Sequence, residues 1–543
     1  MSTFRRAVIL SCGVVALAGC RATPEGPVPA AAPTVAPVPG SGHWWNDRVF
    51  YEIFVRSFSD STSGPLANDG IGDFQGLIEK LDYLNDGNPA TTSDLGITGI
   101  WLMPINPSPS YHGYDVTDYY GINPQYGTQD DFRRFLAECH KRGINVIVDL
   151  VLNHSSSDHP YFRKAMAGDP QYRDWYLFVD PDKVPDTRGP WGQQVWQKIG
   201  DQHFFGMFWS GMPDLNYRNP EVTAEAYRIA DFWLKDLRVD GFRLDAIRHL
   251  IEDGEVMNDT PETLAWLKAF QANVKSTKPD VMVVGEVWTG TDVVSDYVHQ
   301  GSLDLAFEFE LASAILDAAN SGTKAKLAYS LDNVVASYPA NQFASIISNH
   351  DQDRIASVLH EDPAKLRLAA ALLLTAPGVP FLYYGEEIGQ IGAKPDEMIR
   401  NPLPWNGAAN GGFTGGPRAW ERLQRGFETR NVAAQANDPA SLLSFYRRLI
   451  RLRQSEPALA RGDFRAVETG REDVIAWQRS LDGRTLTVVA NLGGDSVPSL
   501  RLAGVEGPLD DLLDGTAVNA GTGIALAPRT TRVLAPSRIA STR

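Results

Sequence analysis

At 543 residues, with 43% hydrophobic and 10% aromatic side chains, the chain can bury a large core and fill more than one domain, which excludes a disordered protein. Asp and Glu number 66 against 50 Lys and Arg. The resulting formal charge of −16 argues against nucleic acid or an anionic membrane surface as partner and suits a neutral ligand.

The chain opens on "MSTFRRAVILSCGVVALAGC", in which Arg5 and Arg6 precede an apolar run too short to span a bilayer. This reads as a signal peptide over residues 1–19. The ending Leu17-Ala18-Gly19-Cys20 resembles a bacterial lipobox, which implies a lipidated Cys20 and an exported protein held at a membrane, on the outer membrane or at the periplasmic or cell surface. An ordinary cleaved signal with an incidental Cys20 is the alternative. Residues 20–43 are rich in Pro, Ala and Val and read as a semi-extended tether. In the body that begins at Trp44 the one cysteine is Cys139, so no intramolecular disulfide forms there. Its spacing from Phe132, Phe135 and Leu136 makes it a core thiol.

From Trp44 onward, β-branched and aromatic runs alternate with helical patterns. The strand runs are 48–58, 97–105, 145–154, 239–247, 281–288, 303–311, 343–351 and 380–389, with helices such as 128–142 and 219–236 between them. Asn219 is positioned as a cap for the latter, with Pro220 in its first turn. Eight strands predict an α/β fold, a closed (β/α)8 TIM barrel, over 44–154 and 219–459. No Gly-x-Gly-x-x-Gly loop follows the first strand to support an open doubly wound sheet. Residues 155–218 are too many for an ordinary loop and form an inserted subdomain after strand 3. Short strands after 459 mark a C-terminal all-β sandwich over 460–537.

A barrel of this kind carries chemistry at the C-terminal ends of its strands. "GFRLDAIRH" (241–249) places Arg243 and Asp245 there on one face of strand 4. Glu286 ends strand 5 and Asp351 ends strand 7, while Asn153 with His154 closes strand 3 and His350 precedes Asp351. So much buried acid is costly unless charges pair or one acid keeps its proton. Glycoside hydrolysis uses both conditions, one carboxylate attacking and one carboxylic acid releasing the leaving oxygen. Adjacent strands hold Asp245 and Glu286 at a range suited to retention, with Arg243 keeping Asp245 ionised. Barrel-rim salt bridges are the structural alternative.

The stretches "DLVLNH" (149–154), "MPDLN" (212–216), "GFRLDAIRH", "GEVW" (285–288) and "SNHD" (348–351) resemble glycoside hydrolase family 13, the α-amylase family, in order along most of residues 44–537. The resemblance implies Asp245 as nucleophile, Glu286 as general acid/base and Asp351 as the carboxylate that fixes the distorted sugar. It implies Arg243, His154, His350, Arg354, His112 and Tyr114 at the substrate, although Tyr114 is also compatible with plain packing. Trp288 either stacks on the leaving side or lies behind its strand.

Tyr111 and His112 stand where α-glucosidases carry an acid, so the resemblance favours an open cleft and internal cleavage of α-1,4 bonds in starch, maltodextrins and malto-oligosaccharides, with some glycosyl transfer. "IRNPLPW" (399–405) resembles the oligo-1,6-glucosidase branch, and the whole is closest to the intermediary group between that branch and the neopullulanases. An exo-acting α-glucosidase and a neopullulanase-like maltodextrin hydrolase remain as rivals, and a catalytically silent glucan-binding lipoprotein is the alternative of a different class. Calcium is the implied ion. "NDGIGDFQG" (68–76) resembles the family's calcium loop, with Asp60, Asn68, Asp69, the Ile71 carbonyl and Asp73 as ligands, against a Gly-rich turn in which Asp73 caps the next helix. A second site would use Asn153, Asp214 and the His249 carbonyl. A monomer is expected.

Overall fold

The computed structural model describes residues 42–537. The expectations for the signal segment, for lipidation at Cys20 and for most of the tether lie outside the described residues.

Eight parallel strands close on themselves: β1 (Phe50–Ile53), β2 (Gly99–Leu102), β3 (Asn145–Leu150), β4 (Gly241–Leu244), β5 (Met282–Gly285), β6 (Leu305–Glu308), β7 (Ala344–Ser345) and β8 (Val379–Tyr383). Each pairs with its neighbours in chain order, and β8 returns to β1 with Phe381 opposite Phe50. This is the (β/α)8 barrel read from the alternating runs. Every strand residue is buried, as expected for strands covered by helices outside and packed side chains within.

An aromatic plug fills the floor of the barrel. Phe50 stacks on Phe381 with ring centres 4.4 Å apart, and Trp101 lies against Phe307 at 5.2 Å. Gly99 makes room for this plug, since a Cβ there would meet the Phe50 ring at 2.5 Å. Groups at the strand ends therefore stand on a packed apolar floor.

Local chemistry explains the helices. Gln129–Lys141 opens on a reciprocal capping box between Thr128 and Asp131 and buries Phe132, Phe135, Leu136 and Cys139. Pro220–Asp231 opens with the Asn219 side chain accepting from the Glu221 N–H and then widens into a π turn over Phe232–Asp236. Within that turn Trp233 is buried and donates its indole N–H to the Tyr119 carbonyl at 3.0 Å. All eight strand runs are shorter than the sequence implies, and the run 48–58 turns helical at Val55. The run 303–311 turns helical at Phe309, and the run 343–351 keeps only Ala344–Ser345 as strand before its chain breaks away toward the barrel mouth. Short apolar runs carry no period that separates the two states.

Within 155–218, Phe178–Val179, Trp196–Ile199 and Gln202–Phe205 form a three-stranded antiparallel sheet. A bridge between His154 and Asp214 and the Leu215 N–H bonded to the Asn153 carbonyl at 3.0 Å tie this insert to the end of β3. At the other end of the chain, a six-stranded antiparallel sheet between Asp463 and Pro536 faces a two-stranded one, Val497–Leu500 with Ile524–Leu526. Val474, Val489, Leu500 and Ile524 lie in the core between them.

Two side chains weld this domain and the last barrel helix to the rest. Buried Arg453 donates to the carbonyls of Leu374 at 2.9 Å, Ala376 at 3.1 Å and Gly378 at 2.6 Å, satisfying the end of the helix Pro363–Thr375. Trp477, 1% exposed, inserts from the sheet and reaches the Thr375 carbonyl at 3.3 Å. Trp477→Ala is expected to destabilise by about 3–5 kcal/mol, seen in denaturant unfolding as early loss of the C-terminal domain. An unchanged midpoint would show that the two domains hold together without it.

Candidate active site

Arg243 is the centre of the barrel mouth. Its side chain rises from β4, 1% exposed, between the strands that carry Asp149 and Glu286. Nη1 donates to Asp149 Oδ1 at 2.9 Å and to Asp245 Oδ1 at 2.5 Å, while Nη2 meets Glu286 Oε2 at 2.8 Å. One guanidinium therefore holds three carboxyl groups from β3, β4 and the end of β5 within the span of a single side chain. It also lies over the Trp101 ring at 5.2 Å and the Tyr114 ring at 5.7 Å.

The next residue after Asp245 is bent to serve the same cluster. Ala246 has a left-handed φ of 49°, unusual for a residue with a Cβ, and its N–H donates to Glu286 Oε2 at 3.0 Å.

Opposite stands a second charged group. His350 Nδ1 donates to Glu52 Oε1 at 2.6 Å, and Nε2 faces both Asp351 Oδ2 at 3.1 Å and the Tyr114 hydroxyl at 2.6 Å. Tyr114 in turn donates to Asp149 Oδ2 at 3.1 Å. Burial alone would lower the His350 pKa, but Asp351 and Glu52 outweigh it and raise it to about 9, so the imidazole is charged at neutral pH. Asp351 is also paired to Arg400 at 2.8 Å. Burial would push its carboxyl up, yet His350, Arg400 and Arg243 together hold it well below the usual range.

The remaining acids move the other way. Asp149 is raised to about 7 by burial, with Arg243 pulling against the rise. Asp245 and Glu286 are both raised by burial, again opposed by Arg243. Arg243 opposes the rise at Asp245 both by its charge and by its hydrogen bond. The two acids still differ. Asp245 takes the short bond from Arg243 and is repelled by Asp351, whereas Glu286 is repelled by both Asp245 and Asp351.

His154 is pushed down to about 4 by burial and stays neutral, its Nε2–H donating to the Tyr114 carbonyl at 3.1 Å. Tyr114 stacks between His350 and His112, with ring centres at 5.4 and 6.1 Å. The intervening Gly113 is required by the turn, with φ at 85° and no room for a Cβ against Pro104. Tyr111 packs on Trp420 at 5.3 Å beneath the Arg400 guanidinium.

Together these groups line a cleft of about 680 Å³. Tyr114, His112, His154, Asp245, Glu286 and Asp351 form its base, Trp191, Phe208 and Trp209 of the insert form one wall, and Trp288, His249, Lys394 and Arg400 complete it. Trp288 is 44% exposed and lies flat on Phe309, so it is not buried behind its strand. A larger hollow of about 880 Å³ opens on the insert beside Phe178, Gln202 and Arg218, and none of the converging residues lines it.

Arg354 is a correction. It is 2% exposed, donates to the carbonyls of Ile399 and Tyr384 at 2.8 and 2.6 Å, and stacks over Tyr383 and Tyr384 behind the cleft. The loop after β8 folds back so that Arg400 takes the place against Asp351. Sequence reading also passed over Glu52, Asp149, Trp191 and Trp209. The two acids did carry a signal, since each interrupts an otherwise apolar strand run.

No three His, Cys, Asp or Glu side chains gather as a ready metal cluster among the described residues. In the loop 60–73, Asp60 accepts from the N–H groups of Asn68 at 3.0 Å and Gly70 at 2.8 Å, and Asp69 from that of Ile71 at 2.8 Å. Asp73 caps its helix through the Gly76 N–H at 2.8 Å. Burial and then the charge of Asp69 raise both Asp60 and Asp73. The capping turn is therefore present, with its carboxylates already engaged by backbone donors. The donor set at the insert fits a cation better. Asn153 Oδ1 is buried without a partner, as is Glu252 Oε1. Asp214, bonded to Asn153 Nδ2 at 3.2 Å, is pushed well up by burial and by Glu252, itself raised to about 7. His249 lies at the same edge of the cleft, its Nδ1–H donating to the Met257 carbonyl at 2.8 Å.

Residues 52–462 match the family model described as "Alpha amylase, catalytic domain". Alpha-amylase 3 of Dictyoglomus thermophilum is 37% identical over 458 residues, covering 83% of this chain and 85% of that protein. The 4-alpha-glucanotransferase of Thermotoga maritima is 33% identical over 460 residues, 82% of this chain and 96% of that one. Among solved structures, the α-amylase of H. orenii superposes with a TM-score of 0.80 at 40% identity, covering 90% of this chain and 99% of that one.

The His350 ion pairs have a pH signature. A folded pKa of about 9 against 6.5 in the unfolded chain means that their stabilisation is complete below pH 6.5 and is lost as pH rises through about 9. Melting temperature is expected to fall across that interval, and His350→Gln to lower it at pH 6.5 and flatten the fall. A variant that tracks the parent at every pH would contradict the charge assignment.

Proposed function

Because this chain belongs to the α-amylase family, glycoside hydrolase family 13, we propose that it is a retaining α-amylase that cleaves internal α-1,4 bonds of starch and malto-oligosaccharides, with some transfer of glycosyl units. The observation that carries this reading is the single guanidinium of Arg243 spanning Asp245 and Glu286 in one cleft.

In the first step Glu286 gives its proton to the glycosidic oxygen while an Asp245 oxygen attacks the anomeric carbon, so the C–O bond breaks as the ester bond forms. Arg243 stabilises the carboxylate of Asp245 before attack and the ionised Glu286 after it. In the second step Glu286 takes a proton from water, the water oxygen attacks the same carbon and Asp245 leaves. A sugar hydroxyl in place of that water gives transfer. Asp351, ionised by His350 and Arg400, accepts from the sugar hydroxyls at the cleavage site. Transfer is favoured by the exposed aromatic walls Trp191, Trp209 and Trp288, which offer an acceptor sugar faces to stack on.

Calcium remains part of the reading, with Asn153, Asp214, Glu252 and the His249 carbonyl as holders and Asp60, Asp69, the Ile71 carbonyl and Asp73 as a second set with Asn68. A bound ion would supply positive charge to buried acids and brace the insert, outside the bond-breaking steps. Export and lipid anchoring through Cys20 are proposed on the N-terminal sequence alone.

Glu286→Gln should slow hydrolysis by about a hundred- to ten-thousandfold while binding of maltoheptaose persists. Undiminished turnover would reject the acid assignment. A time course on soluble starch separates the rivals, since rapid loss of iodine staining with mixed short products marks internal cleavage and glucose alone marks an exo-glucosidase. Exhaustive chelation should lower the melting temperature if an ion binds the native state alone, and an unmoved melt would remove calcium.

A further inference from the structure

The loop that follows Glu286 ends in a set of hydrogen bonds that two ionised carboxylates cannot complete. Thr291 opens the helix Thr291–His299 at the end of that loop. Its hydroxyl oxygen lies 2.6 Å from Glu308 Oε1 and 2.9 Å from Glu310 Oε2, and its N–H donates to the same Glu310 oxygen at 3.0 Å. A threonine hydroxyl carries one hydrogen. It donates to one carboxyl group, so the other has to bring a proton of its own and donate to the threonine oxygen.

Surroundings decide which acid that is. Glu310 is exposed to water and sits at a helix N-terminus, where negative charge is favoured. Glu308, the last residue of β6, is 1% exposed. Burial and the like charge of Glu310 raise its carboxyl to about 7 against the Thr291 bond. Ser345, its partner on β7, and Tyr338 of the helix Ala325–Ser337 add only neutral hydroxyls, both buried without a partner, and Lys326 lines the hollow that Glu310 borders. The same stretch grips the loop a second time, since Phe309 carries the Trp288 ring at 4.3 Å, and Arg248 Nη1 donates to the Trp288 carbonyl.

We propose that Glu308 keeps a proton in the working enzyme and acts as a positioning residue: it donates to Thr291, Thr291 donates to Glu310, and this clamp fixes the loop that carries Glu286. Ionising Glu308 leaves two carboxylates facing one hydrogen, and the clamp opens. This role rests on the α-glucan hydrolase reading above, and it falls on a residue outside the cleft lining.

Glu308→Gln tests it, because the amide has no charge and donates to Thr291 at every pH. A carboxyl raised to about 7 in the fold from 4.5 gives a stabilisation that is complete below pH 4.5 and lost as pH rises through about 7. The variant should therefore melt with the parent near pH 4.5 and about 2–4 °C above it at pH 8. In starch hydrolysis the alkaline limb of kcat should move up by about half a pH unit or more, with KM unchanged. Thr291→Val should lose about tenfold in kcat, and Thr291→Ser should restore it. A glutamine variant that melts with the parent at every pH, or parental kcat in Thr291→Val, would overturn the clamp. A melting difference with an unmoved limb would make Glu308 a structural acid and overturn the positioning role. The threonine pair decides the question where the glutamine variant does not fold. Melting needs no substrate, so a folded parent that leaves starch intact would reject the hydrolase reading while the melts still decide the Glu308 proton.

Discussion

One buried cation among converging carboxylates governs this molecule. Arg243 has no exposure to water to offset its desolvation, so it is stable only while Asp149, Asp245 and Glu286 surround it. Those acids depend on it equally, because burial raises all three and Arg243 is the first influence opposing that rise. The mutual dependence sets protonation at the mouth. Asp245 gains a short charge-assisted bond and Glu286 gains repulsion from two neighbours, so two acids of one class sit in different electrostatic surroundings.

The same dependence runs round the barrel. Glu52 on β1 holds His350 beyond β7, His350 meets Tyr114 beyond β2, Tyr114 donates to Asp149 on β3, and Asp149 accepts from Arg243 on β4. This belt joins strands that are not all neighbours in the sheet, because closing the barrel brings their ends to one mouth. Below it the Phe50, Phe381, Trp101 and Phe307 plug excludes water, so each of these bonds acts at low dielectric.

Much of this was legible in the sequence, and the limits have physical causes. Strand runs with acids at their ends marked the barrel and Asp245, Glu286 and Asp351, because position in a strand fixes which face and which end a residue occupies. Partnerships between strands were less accessible. His350 and Glu52 are 298 positions apart, and Asp351 and Arg400 are 49 apart. The resemblance places Arg354 at the substrate, yet Arg354 is bonded to carbonyls of Tyr384 and of the loop returning after β8, and that loop sets Arg400 against Asp351. Glu252 was hidden for a different reason. Its importance lies in sharing a buried space with Asp214 across the insert, and no periodicity records that.

The division of labour between strand ends and loops has a consequence for how such a protein can diversify. Changing any carboxyl group bonded to Arg243 shifts the protonation of the others, so the charged belt tolerates little piecemeal alteration. Trp191 and Trp209 belong to the insert and Trp288 to the loop after β5, none of them bonded into that belt. Substitutions there leave the titration of the centre in place. The rim and the charged centre are thus separable parts of one opening, the first free to change residue by residue and the second bound to change only as a set.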